Sequence, residues 1–176
     1  MSDEFHHICV DTETLSTKHD AVIVTIAAVK FNIYTDTFET FKVNINPRDS
    51  KRLGLRISTD TISWWRAQRP EAVSAWQHSQ IDLADALDQF SAFCGSSKDM
   101  LYWANGSWFD FPILESSYGV VGKVPPYKYW NVHELRTAYL LGNVDPKKEE
   151  RVGVYHDAVD DCLSQIKFLK KALGKE

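Results

Sequence analysis

The sequence predicts an α/β protein, a mixed β-sheet with helices packed against it. Apolar, β-branched runs dominate from Ile8 to Ile45, separated by short connections. From Asp82 onward, helical apolar spacing alternates with brief strand-like runs. The chain then closes on a long stripe of helical period. Consecutive strands followed by helix–strand–helix alternation call for a sheet that packs helices on its surface.

Ile8-Cys9-Val10 reads as a buried strand that runs into Asp11-Thr12-Glu13-Thr14-Leu15. Ala21 to Phe31 is long, apolar and β-branched, as expected of a central strand. Asn32 to Asp36 is a turn, after which Phe41, Val43 and Ile45 alternate with Lys42 and Asn44, the period of a half-buried strand. These three strands predict a meander. Asn46-Pro47-Arg48-Asp49-Ser50 breaks the pattern. Ser58-Thr59-Asp60-Thr61 offers N-caps for a short helix through Trp64-Trp65, and Pro70 permits a second through Trp76. Asp82 is a cap for a longer helix with Leu83, Leu87, Phe90 and Cys94 on one face. Met100 to Trp103 reads as a strand and Ser107 to Tyr118 as a helix, despite Pro112. Lys123 to Tyr127 is a proline-containing loop, Trp130 to Leu141 a brief strand and a helix, and Asp145 to Val152 a charged, mobile loop. Ala158, Cys162, Ile166, Leu169 and Leu173 form the closing helical stripe.

A length of 176 residues suits one domain with a full core. Hydrophobic residues at 44% and charged residues at 25% are ordinary for a globular protein. The net charge of −4 excludes a generally basic nucleic-acid coat, so any such substrate must be held locally or through metal ions. Cys9, Cys94 and Cys162 lie too far apart for a metal-binding spacing, and Cys9 and Cys162 read as core thiols. No signal peptide or membrane-length apolar run is present, and a cytoplasmic setting is expected.

The chemistry gathers in three clusters. Side chains alternate along a strand, so Asp11 and Glu13 aim two carboxylates at one spot near the end of the first strand. Mutual repulsion and desolvation would raise their pKa values, and divalent cations would reverse that penalty. Asp110, in Asn105-Gly106-Ser107-Trp108-Phe109-Asp110-Phe111-Pro112, is a carboxylate between bulky apolar groups. By itself it is equally a dipole-favoured acid at a helix start. In His156-Asp157-Ala158-Val159-Asp160-Asp161-Cys162, Asp161 lies beside the apolar stripe and can face the sheet. Asp157 and Asp160 read there as solvated charges at the helix start, and His156 alone is more often structural than catalytic.

Together, Asp11, Glu13, Asp110 and Asp161, with His156 five residues before the last, resemble the DEDDh group of 3′–5′ exonucleases. This is the DnaQ-like family, with proofreading exonuclease subunits, ribonuclease T and oligoribonuclease among its members. Asp11-Thr12-Glu13-Thr14-Leu15-Ser16, Ser58-Thr59-Asp60-Thr61 with Trp64-Trp65, and Tyr129-Trp130-Asn131-Val132 with Leu135-Arg136 resemble a small phage and bacterial exoribonuclease-like branch. Leu15-Ser16 stands where many members have glycine, and Cys162 where alanine is common. The resemblance implies a ribonuclease H-like three-layer fold with a mixed five-stranded sheet, its first strand central. It implies two Mg²⁺ or Mn²⁺ ions on Asp11, Glu13, Asp110 and Asp161, with His156 and Glu13 as catalytic residues and a nucleoside 5′-monophosphate as product. It also casts Leu15 as a wedge against a terminal base.

Among six tryptophans, Trp64, Trp65 and Trp108 are candidates for a base-stacking rim, while Trp76 and Trp103 read as core. Thr12, Thr14, Leu15, Asn105 and Phe109 complete the candidate substrate contacts. Arg48, Lys51, Arg52, Arg56, Arg66 and Arg69 form a basic stretch beside Trp64-Trp65 that could guide a strand or be a solvated face. The expected partners are single-stranded RNA or DNA 3′ ends, with RNA narrowly preferred on the branch resemblance. No membrane partner is expected. A homodimer through Trp76 or the tyrosines near Tyr127 is a further expectation. The competing functions are a catalytically silent binding module, a DNA-specific exonuclease and a ribonuclease H-type endonuclease.

Overall fold

The computed structural model describes residues 4–153 and 156–175. The elements run β1 (His7–Thr14), β2 (Ile23–Phe31), β3 (Phe38–Ile45), α1 (Pro47–Arg52), α2 (Thr59–Arg66), α3 (Pro70–Ser74), β4 (Gln80–Ile81) and α4 (Leu83–Cys94). They continue with β5 (Leu101–Ala104), α5 (Ser107–Val120), a 3-10 turn (Tyr129–Asn131), β6 (Val132–Glu134), α6 (Leu135–Leu141) and α7 (Ala158–Ala172).

The sheet order is β4-β3-β2-β1-β5-β6. β1, β2 and β3 form the expected antiparallel meander. β5 then joins β1 in parallel, β6 joins β5 in parallel, and β4 lies parallel to β3. The sheet is therefore mixed but six-stranded, not five-stranded. The additional strand is β4, in which Gln80 and Ile81 pair with Asn44 and Ile45. Two residues carry no alternation to read, and their strand character comes from β3 alongside.

Alternation along β1 divides the core. Ile8 and Val10 join Ile26, Leu83, Leu87, Phe90, Ile113 and Leu114 on the face covered by α4 and α5. Cys9 points to the opposite face, with Ala27, Val29, Leu135, Cys162, Phe168 and Leu169 under α6 and α7. Each large aliphatic side chain so buried contributes about 1.5–3 kcal/mol. Both faces of β1 are thus covered, which fixes the strand in the middle layer and holds its end rigid.

Two local readings change. Asn46-Pro47 does end β3, but it also starts α1: the Asn46 side chain accepts from the Arg48 amide at 3.1 Å, and Pro47 takes the first helical position. Asp82 precedes α4 without a side-chain capping bond. The Asp49 carboxylate on α1 accepts from the Leu83 amide instead, at 2.9 Å. Asp145 to Val152 is irregular backbone. No helix among the described residues is long and apolar enough to cross a membrane.

Candidate active site

A cleft of about 950 Å³ opens at the C-terminal end of β1. There the register with β2 shifts between Glu13 and Thr14, a bulge that ends regular pairing where the strand meets the cleft. Asp11 and Glu13 lie on the strand face that carries Cys9, toward α7. Asp110 comes from the first turn of α5 and Asp161 from the first turn of α7.

Asp110, Asp11 and Asp161 are each held by a partner. The Thr12 amide and hydroxyl both donate to Asp110 Oδ1, at 3.0 and 2.7 Å. Gln165 donates its amide Nε2 to Asp11 Oδ1 at 3.2 Å, and its Oε1 accepts from the Cys9 thiol at 3.3 Å. The start of α5 is itself anchored by Glu134, whose carboxylate accepts from the amides of Gly106 and Ser107 at 3.0 and 2.6 Å. Asp157 caps α7 by accepting from the Val159 amide at 3.0 Å, and it pairs with Lys42 Nζ at 2.6 Å. It is therefore a fixed cap rather than a solvated charge. Arg151 forms an ion pair with Asp161.

Glu13, His156 and Asp161 each offer a ligand atom, and these atoms lie within 4.8 Å of one another. His156 adopts a left-handed backbone with φ 66°, a conformation uncommon outside glycine, immediately before the Asp157 cap. Its ring meets Trp64 edge to face at 5.2 Å, and Trp64 meets Trp65 in the same manner at 5.0 Å.

The electrostatics follow from this packing. Burial, then the charges of Asp110, Glu13 and Asp161, push the Asp11 carboxyl well above its ordinary range. Burial, with Asp161 and Asp110, lifts Glu13 to about 8, against a lowering by Lys42. Burial lifts Asp110 to about 7 despite the two hydrogen bonds from Thr12. Asp161 is raised by burial while Arg151 and His156 oppose it. His156 is lowered, mainly by burial. A cluster of oxygen donors that resists ionising by itself has the chemistry of a hard divalent cation site. The residues present fit Mg²⁺ or Mn²⁺ and offer no thiolate to favour a softer metal.

Asp11, Thr12, Glu13, Thr14, Trp64, Trp65, Asn105, Phe109, Asp110, His156 and Asp161 all line the cleft, as expected from the sequence. Leu15 does not. It is 3% exposed and packs in the core, its amide bonded to the Val22 carbonyl, so it is no wedge against a base. Trp65 is also only 3% exposed, and its Nε1 donates to the Thr14 carbonyl at 2.9 Å. It is a wall of the cleft rather than a stacking rim. Trp108 lies outside the cleft lining, 79% exposed, with its ring against His19. Trp76 and Trp103 are half-buried at the margins of the two core clusters. Gln165, Glu134, Arg151 and Lys42 escaped the sequence reading. Only Gln165 left a sign, as a polar residue inside the α7 stripe four places after Asp161.

The fold and this site define a DEDDh-type 3′–5′ exonuclease, a hydrolase with the ribonuclease H-like architecture. The sequence profile of the 3′–5′ exoribonuclease Rv2179c-like domain matches residues 6–173, and the chain belongs to that family. The exodeoxyribonuclease of Enterobacteria phage T4 is 28% identical over 200 residues, covering 93% of this chain and 87% of that protein. Among solved structures, the nuclease domain of 3′hExo, a DEDDh family member bound to rAMP, superposes with a TM-score of 0.63 at 14% identity, covering 99% of this chain and 94% of that one. The Mg²⁺- and Mn²⁺-bound form of S. pombe Pop2p gives 0.57 at 13% identity, covering 95% and 82%. At such identities these two likenesses are of fold.

Proposed function

We propose that the chain trims single-stranded nucleic acid stepwise from the 3′ end, releasing nucleoside 5′-monophosphates, with two divalent cations, Mg²⁺ or Mn²⁺. The observation that carries this reading is the convergence of Asp11, Glu13, Asp110 and Asp161 in one cleft with His156 at its edge. Asp11, Glu13, Asp110 and Asp161 would hold the ions, which when bound lower the pKa of water and neutralise charge at the scissile phosphate. His156, held neutral near pH 7 by its lowered pKa, accepts the proton of the attacking water at a ring nitrogen. Thr12 and Gln165 keep Asp110 and Asp11 in place, and Trp64 limits the swing of the His156 ring. The Trp65 wall confines a terminal nucleotide, and Thr14, Asn105 and Phe109 line the space around it. Unstacking a paired end costs a few kcal/mol, so a recessed site favours single-stranded ends over blunt duplexes.

RNA is the preferred substrate in this reading, supported by the exoribonuclease description of the family. The phage T4 exodeoxyribonuclease favours DNA as the second reading. The test is digestion of matched RNA and DNA strands, labelled at either end, with Mg²⁺, with Mn²⁺ and in excess EDTA. Stepwise loss from the 3′ end that stops in EDTA and at a 3′-phosphate is expected. Fragments from a circular strand, or shortening from the 5′ end, would overturn the assignment, and inertness on every substrate would leave a silent binding module.

A homodimer is also proposed, on the surface near Tyr127 but without Tyr127 itself. Tyr127 is 4% exposed, its hydroxyl near the Phe111 carbonyl at 3.3 Å, and cannot form the patch expected of it. Tyr129 and Trp130, 80% and 62% exposed, supply an aromatic pair beside it. Sedimentation showing only a species of about the 20.2 kDa chain mass would exclude the dimer.

A further inference from the structure

We propose a second nucleic-acid subsite, outside the principal cleft, that takes the backbone phosphate of a nucleotide on the 5′ side of those in the cleft. The inference rests on the exonuclease reading above. A separate cavity of about 350 Å³ is lined by Lys51, Ile57, Thr59, Ile62, Ser63 and Arg66. Ile57 and Thr59 also line the principal cleft, so the two spaces adjoin.

Of the six basic residues between β3 and α3, two are neutralised and two others border the second cavity. Arg52 is paired with Asp49 at 3.2 Å, and Arg56 is held by Asp20 at 2.9 Å. Lys51, in the last turn of α1, and Arg66, in the last turn of α2, have no carboxylate partner among the described residues. Both are exposed, and both border the second cavity. Two unneutralised cations facing one concave space are complementary to a phosphodiester, and the Thr59 and Ser63 hydroxyls beside them are further donors. Ile57 and Ile62 give an apolar floor suited to a sugar or base face. Of the carboxylates closest in sequence, Asp49 is paired with Arg52, and Asp60 borders the cleft rather than this cavity. On a chain of net charge −4, such a local pair decides where a polyanion can lie.

The occupant follows from the direction of attack. A 3′-end exonuclease has a single nucleotide beyond the scissile linkage, so every further nucleotide lies on the 5′ side. A strand too long for the cleft must leave it, and the adjoining second cavity carries the right charge. The site reads phosphate and not base, so it confers length preference without sequence preference.

The test is a length series of single-stranded oligomers from two to eight nucleotides, digested by the full chain and by Lys51→Gln, Arg66→Gln and the double variant. Both positions are exposed, so the melting temperature should change little. With wild type, kcat/KM should rise with length. With the double variant, the dinucleotide rate should stay within about twofold, while the longest oligomer loses about tenfold, mostly in KM and equally for different sequences. The salt dependence of KM for the long oligomer should fall by about 0.7 in log–log slope for each phosphate no longer neutralised. A loss equal at all lengths, or none at any length, overturns the subsite. The dinucleotide keeps the two readings apart: if wild type cleaves no oligomer, the exonuclease reading fails and the subsite with it, whereas normal dinucleotide cleavage without a length effect removes the subsite alone.

Discussion

Glu13 is half-buried beside Asp161, Asp110 and Asp157, and desolvation with those charges lifts its carboxyl from 4.5 to about 8. In that window the folded chain holds a proton that the unfolded chain releases. The resulting stability is fully present below pH 4.5 and is lost as pH rises through about 8. In EDTA the melting temperature should therefore fall from pH 5 to pH 8. Glu13→Gln should flatten the fall while abolishing cleavage, and Mg²⁺ should restore wild type at pH 8. A wild-type melting temperature that is flat or rises over this range would contradict the carboxylate repulsion. His156 follows the opposite sign: its pKa lies below 6.5, so the neutral base persists through neutrality and activity falls only on acidification beneath that value. His156→Ala should cost about 10²–10⁴ in kcat, the usual range for a general base, while calorimetry still detects Mn²⁺ binding. Wild-type turnover in this variant would make the histidine structural.

Elements transmit position to those residues, and α5 shows how. Its first turn, which carries Asp110, is tied to the sheet through Glu134 at the end of β6. Glu134→Ala removes acceptors for the Gly106, Ser107 and Arg136 amides, and should cost about 1–2 kcal/mol in a urea titration, as lost helix caps do. The kinetic loss should fall on kcat with KM little changed, since Asp110 shifts while the cleft walls stay. At the other face, a Cβ on Gly142 would lie 2.3 Å from the Ala172 carbonyl oxygen, on the last turn of α7. Gly142→Ala must push α6 and α7 apart, and a destabilisation of about 1–3 kcal/mol is expected from the denaturation midpoint.

At the scale of the molecule, what the sequence disclosed was what repeats along it. The apolar runs gave β1 to β3, and the helical stripe gave α7, because local periodicity reports burial directly. The carboxylates and His156 were legible from their order along the chain, with Asp11 and Glu13 on β1, Asp110 on α5, His156 in the turn before α7 and Asp161 on α7. Features made by distant chain meeting distant chain were not: β4 exists through Asn44 and Ile45, Leu15 is buried because the chain turns inward after the bulge, and Gln165 matters only through Asp11 and Cys9. The sheet order has one more consequence. Of its inner strands, β1, β2 and β3 are eight or nine residues long and β5 has four, whereas the outermost strands β4 and β6 have two and three. An unpaired backbone edge is what lets one sheet zip onto another; β6 leaves a short one, but β4 covers only Asn44 and Ile45 of β3, so Phe38 to Val43 form the open margin on the other side. Exposed Glu39 and Lys42 stand on that margin, charges of the kind that discourage a foreign strand, so self-association falls to side chains such as Trp130 rather than to a shared ladder of amides.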